Sequence, residues 1–128
     1  TVAQAPTRLF ELMDAVKTSN RSIRAFRAAG LVSSRASTVE KLQAVATCEI
    51  ERENYFLASK ISFSVGTLLG ILDRRKHGTT QDSATRRSTL HDIETGMAPV
   101  ILGLEDQGRE TALLAVAEAV LLARELLG

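Results

Sequence analysis

The chain has 128 residues and a mass of 13.8 kDa, enough for one domain with its own core and too short for two comfortable ones. Hydrophobic residues make up 45 % and charged residues 24 %, which excludes a disordered polymer; abundant Ala and Leu with only two prolines favour helix throughout. Sixteen basic against fifteen acidic residues leave a formal net charge of +1, which excludes a general electrostatic pull toward nucleic acid or membrane.

The charge is unevenly spread. Residues 1–47 carry seven Lys or Arg and three Asp or Glu, and residues 88–128 carry two and seven, so opposite-charged ends favour side-by-side or head-to-tail association. One cysteine, Cys48, excludes an internal disulfide and a multi-cysteine metal site, and its place in a helix reads as a small filler. Because the first residue is Thr1, the lack of a targeting segment carries no information. A soluble, cytoplasmic protein is the expectation.

Taken in order, Pro6 and Thr7 supply a helix start, and a first helix is predicted over residues 7–29. Leu9, Leu12, Met13, Val16 and Ile23 form its apolar stripe, and Gly30 suits the left-handed residue after its end. Lys17, Arg21, Arg24 and Arg27 make a basic ridge, read as solvated and matched to the helix dipole. Together with the following helix this region suggests a helix-turn-helix. The match fails, since Phe26 stands where that motif needs a small residue and the second helix is far too long to be a recognition helix.

The next element is read as one uninterrupted helix over residues 37–76. Ser37 with Glu40 forms a capping box. At 100° per residue Val39, Leu42, Ala46, Ile50, Leu57, Ile61, Leu68, Ile71 and Leu72 fall on one stripe. From Tyr55 to Leu72 apolar or small residues cover nearly the whole circumference, which predicts burial on all sides. Opposite the stripe Ala58, Ser62, Gly66 and Gly70 recur every four residues, a spacing that lets another backbone approach closely. This eighteen-residue run nears the length of a membrane span and carries a basic flank. Lys60 inside it and three serines weigh against a membrane, so a buried central helix is preferred.

Gly78 marks a turn, and Asp82 or Ser83 caps a third helix over residues 84–106 on the stripe Leu90, Ile93, Met97, Ile101 and Leu104. Its seam stays in phase through Pro99, which predicts a kink rather than a break. The turn brings Arg74, Arg75 and Lys76 toward Arg86 and Arg87, five basic side chains at one tip that could receive an anion. Arg86 to Thr89 also resembles a basophilic kinase substrate, a motif frequent by chance. His91 has no Glu-x-x-His partner of the di-iron kind, so no metal and no cofactor is predicted. A fourth helix over residues 109–127 is apolar on several sides, with Leu113, Val116 and Val120 on one face and Leu114, Leu121 and Leu122 on others. That is more apolar surface than so small a bundle should need to hide, which points to a covering partner.

These readings converge on an all-α single domain over residues 1–128, an antiparallel four-helix bundle whose long second helix overhangs its neighbours. The expected function is a non-enzymatic interaction module (adaptor, chaperone, effector or assembly subunit). It would pack helices against a protein partner or a second copy through Ala58, Ser62, Gly66, Gly70, Leu114 and Leu122. The alternative is an anionic ligand or nucleic acid on Arg74, Arg75, Lys76, Arg86, Arg87 and the first helix, with nucleic acid less favoured and a membrane unlikely. Catalysis lacks a constellation; Glu49 and Glu53 share a helix face by spacing and are the weak exception.

Overall fold

A computed structural model of the chain describes residues 11–14, 16 and 32–128, and among these it is helical with no strand. Residues 11–14 and 16 are helical and place Leu12 and Met13 in the core. The basic ridge of Lys17, Arg21, Arg24 and Arg27, the stop at Gly30 and most of the predicted first helix lie outside the described residues. Four complete helices follow: α1 (Arg35–Glu51), α2 (Tyr55–Lys76), α3 (Ser83–Asp106) and α4 (Glu110–Leu127).

The predicted 40-residue helix is two helices. α1 starts earlier than the sequence suggests: the Ser34 side chain accepts from the Ser37 amide at 3.3 Å and the Ser34 carbonyl from the Thr38 amide at 2.8 Å, so Ser34, not Ser37, is the cap. It ends at Glu51 because Glu53, two residues on, is left-handed. Glu53 has φ of 61°. Its amide donates to Ile50 O and that of Asn54 to Glu49 O. These are the paired bonds that close a helix through a left-handed residue, normally glycine. The Asn54 carbonyl then accepts from the Ala58 amide to begin α2. Ile50, assigned to the buried stripe by phase, is exposed at this closed end, while Glu49 beside it is buried.

Where local chemistry decides the boundary, sequence and structure agree. Asp82 caps α3 by accepting from the Thr85 amide at 2.8 Å, and hydrogen bonds from Thr85 hold its carboxyl below the usual aspartate range. Gly78 and Gly108 take positive φ at the turns after α2 and α3. α3 runs unbroken through Pro99.

Contacts link α1 to α2, α2 to α3, α3 to α4 and α4 back to α1. The pairing of α1 with α4 is antiparallel: Arg35 meets Glu125 at 2.9 Å, Lys41 meets Glu118 at 4.0 Å, and Glu49 meets Arg109, so numbers fall on one helix as they rise on the other. The helix enclosed most completely is α4, not the predicted central helix. Ala112, Leu113 and every residue from Ala115 to Ala123 are buried. Its many-sided apolar surface is covered by this chain itself, since splitting the long helix supplies an extra packing element.

Candidate functional site

α2 is apolar on nearly every side and only partly covered. Its buried face is Leu57, Ala58, Ile61, Ser64, Val65, Leu68 and Ile71. On the outer side Tyr55, Phe56, Phe63 and Leu69 remain between 49 % and 62 % exposed. Taking Gly66 as the centre of that side, Tyr55, Ser59 and Asp73 fall within about 20° of it, Ser62 and Gly70 within about 40°, and Phe63 and Leu69 about 60° to either flank. Half-exposed aromatic side chains of this kind present roughly 100 Å² each. Four large side chains on this side therefore expose several hundred square ångströms of apolar surface between them, at the upper end of what a monomer leaves uncovered.

The middle of the patch is flat. A methyl group built on Gly66 or Gly70 would meet no atom within 4 Å, so neither glycine is required by packing inside the chain or by a positive φ. Each costs about 1 kcal/mol relative to alanine in a helix interior. Beside Phe63 the patch continues into a groove of about 380 Å³ between α2 and α3, lined by Ser59, Lys60, Phe63, His91, Asp92, Thr95 and Gly96. The Lys60 ammonium lies 5.7 Å from the Phe56 ring centre, a cation–π contact that holds both side chains on this edge. By length and composition α2 is also long and apolar enough to cross a membrane, and only 39 % of its most apolar stretch is buried.

Of the partner-packing residues expected from the sequence, Ser62, Gly66 and Gly70 lie on this open face. Ala58 and Leu122 do not: both are core residues. Ala58 lies about 80° from the centre of the open side, where α2 turns toward its neighbours. Leu114 is half-buried and lines a different cleft. The exposed aromatics Tyr55, Phe56 and Phe63 were hidden in the sequence by an apolar run that reads as buried all round.

The cleft at Leu114 lies between α1 and α4, with a volume of about 690 Å³. It is lined by the apolar Ala44, Val45, Ala112 and Ala115 and by Lys41, Cys48, Arg109 and Glu118. Glu118, in its lining, is 1 % exposed, and Glu49, next to the lining residue Cys48, is 0 % exposed. Burial of a carboxylate demands a partner. Glu49 has two, since the Asn54 side-chain amide donates to it at 2.9 Å and the Arg109 guanidinium forms an ion pair with it. Arg109 also donates to the Cys48 sulfur at 3.4 Å. The charges of this cleft thus serve one another. Glu53, expected to share a face with Glu49, is instead exposed in the turn, so the two carboxylates do not form a pair. A signal for Glu118 was present in the sequence, as the lone charge between Glu110 and Arg124 in an otherwise apolar helix.

At the tip between α2 and α3, Arg74, Arg75 and Arg86 line a small cleft of about 30 Å³ with Thr79, Thr80 and Gln81. Lys76 and Arg87 are exposed and outside its lining. Arg86 donates to Ser83 Oγ at 3.3 Å. Thr79 caps the end of α2, its amide and hydroxyl donating to the Arg74 carbonyl at 2.9 and 3.1 Å. His91 lies in the α2–α3 groove, and among the described residues no group of three or more His, Cys, Asp or Glu is placed to hold a metal ion. No protein-family model matches the chain, and neither does any curated protein or solved structure.

Proposed function

We propose that the chain is an antiparallel helical-bundle interaction module, without catalytic activity of its own, whose docking surface is the outer side of α2. The observation that carries this reading is the half-exposed row of Tyr55, Phe56, Phe63 and Leu69 around open space at Gly66 and Gly70. Small residues flanked by large apolar ones suit a helix laid into the face, with anchors at three- and four-residue spacing. The test is selection of helical peptides displayed at random against the folded chain. Binders should lose affinity on Phe63→Asp and Leu69→Asp, two changes at half-exposed positions that leave the melting temperature nearly unchanged. Binders that ignore both substitutions and map to the α1–α4 cleft would overturn the reading.

A second reading is supported by the gathering of Arg74, Arg75 and Arg86 around one cleft. An anion would sit at its mouth, the interior being about the volume of a single water molecule. Inorganic phosphate should then shift the amide resonances of Thr79 to Gln81, and Arg75→Gln should remove the effect.

A further inference from the structure

We infer that the helix docked on the outer side of α2 is α2 of a second copy of this chain, running antiparallel about a two-fold axis at Gly66. The inference rests on the docking reading above and adds the identity of the partner. Three observations favour a second copy. First, α2 spans Tyr55–Lys76, so Gly66 stands at its midpoint, and an antiparallel partner centred there overlaps the full length of the helix, about 33 Å.

Second, the face is complementary to itself. With two-fold symmetry, a residue three positions before Gly66 on one copy is level with the residue three positions after it on the other. Phe63, on one flank, then lies beside Gly70 of the second copy, and Leu69, on the opposite flank, beside Ser62 of the second copy. Gly66 faces its own symmetry mate. Phe63 and Leu69 thus each meet a small residue, and the glycines, which nothing inside the chain requires, are explained by the approach of the second backbone. The half-exposed apolar side chains, with the small residues between them and the edge of the α2–α3 groove, supply several hundred square ångströms toward the roughly 800 Å² per partner of a stable interface.

Third, the ends of α2 carry opposite charge. Asp73, Arg74, Arg75 and Lys76 are exposed at its C-terminal end, a net positive group, and Glu51, Arg52 and Glu53 are exposed just before its N-terminal end, a net negative one. The antiparallel arrangement brings the basic end of each copy alongside the acidic end of the other, whereas a parallel one sets like against like. A lipid surface is the competing occupant, because the same face is apolar with a basic flank. Its centre argues against lipid: Ser59, Ser62, Gly66 and Gly70 add little apolar area to a membrane but are what a close helix crossing needs.

The decisive experiment is sedimentation equilibrium of the wild-type chain and of Gly66→Leu, with thermal melting of both. The added side chain enters open space and improves helix propensity, so at concentrations too low for the wild type to dimerise the variant should melt no lower than wild type. The wild type should have twice the chain mass of 13.8 kDa, and Gly66→Leu should weaken the dimer by more than about tenfold in dissociation constant. In a Cys48→Ser background, Ser59→Cys chains should form disulfides with Asp73→Cys chains in preference to their own kind, since these positions are level only when the helices run antiparallel. A wild type monomeric at every concentration would overturn the second-copy inference while leaving the docking face to the peptide selection. A dimer unaffected by Gly66→Leu would place the two-fold elsewhere and overturn it too. Flotation of a monomeric wild type with phosphatidylglycerol vesicles, strengthened by Gly66→Leu, would overturn it in favour of lipid.

Discussion

Glu49 ties together three parts of the molecule: the last turn of α1 that carries it, the turn residue Asn54 that donates to it at 2.9 Å, and Arg109 at the entry to α4. Its side chain is fully buried and that of Arg109 is 17 % exposed, so removing the cation strands a carboxylate with no route to water. Arg109→Met should lower stability by about 3 kcal/mol, and replacing Glu49 and Arg109 together by Met should cost less than that single change. Urea unfolding midpoints check both, and a double variant weaker than Arg109→Met would show that the pair contributes more than mutual compensation. Asp82 acts at the same scale through pH. Hydrogen bonds from Thr85 depress its folded carboxyl value, so the stability it gives is present above the unfolded aspartate value and is lost as pH falls through the folded one. Asp82→Asn keeps a capping oxygen but cannot titrate. Melting across acid pH should show the wild type ahead at neutral pH and that advantage shrinking as the solution is acidified.

The turn between α1 and α2 is where sequence and structure part company, and the reason is local. The apolar phase of Val39, Leu42 and Ala46 continues through Leu57 and Ile61 as if no residue intervened, and Arg52-Glu53-Asn54 contains neither Gly nor Pro to mark a stop. Glu53 nevertheless adopts φ of 61°, a conformation that costs a non-glycine residue about 1–2 kcal/mol. The capping bonds to Ile50 and Glu49 and the side-chain bond from Asn54 offset that cost. Glu53→Gly should therefore stabilise the chain by about 1 kcal/mol, less the extra freedom glycine gains when unfolded, and raise the melting temperature by a few degrees. An unchanged or lower melting temperature would mean that the Glu53 side chain makes a contribution of its own. By contrast the start of α3 at Asp82 and the turn at Gly78 were legible, because a capping carboxylate and a left-handed glycine announce themselves in three or four residues. The stripe Ser62, Gly66 and Gly70 was legible from spacing alone. The exposure of Phe63 and Leu69 was not, because it depends on which neighbours the split helix leaves on either side of α2.

Across the whole molecule, the uneven charge that suggests association between chains is partly consumed within one. The basic N-terminal third contributes Arg35 and Lys41, the acidic C-terminal third contributes Glu125 and Glu118, and α1 and α4 align them antiparallel at 2.9 and 4.0 Å. The pairs lie along the antiparallel seam between α1 and α4. Their energetic share is modest, since the Arg35 side chain is 40 % exposed and solvent screens it. Reversing one charge tests this directly: Arg35→Glu places two carboxylates together and should destabilise the fold by about 1 kcal/mol, less at high salt. Adding Glu125→Arg restores an opposite pair in the same place. Recovery of most of the loss in the doubly reversed chain, measured by a double-mutant cycle of unfolding free energies, shows that the two positions act on each other. Additive losses would assign the register of α4 to its apolar packing alone.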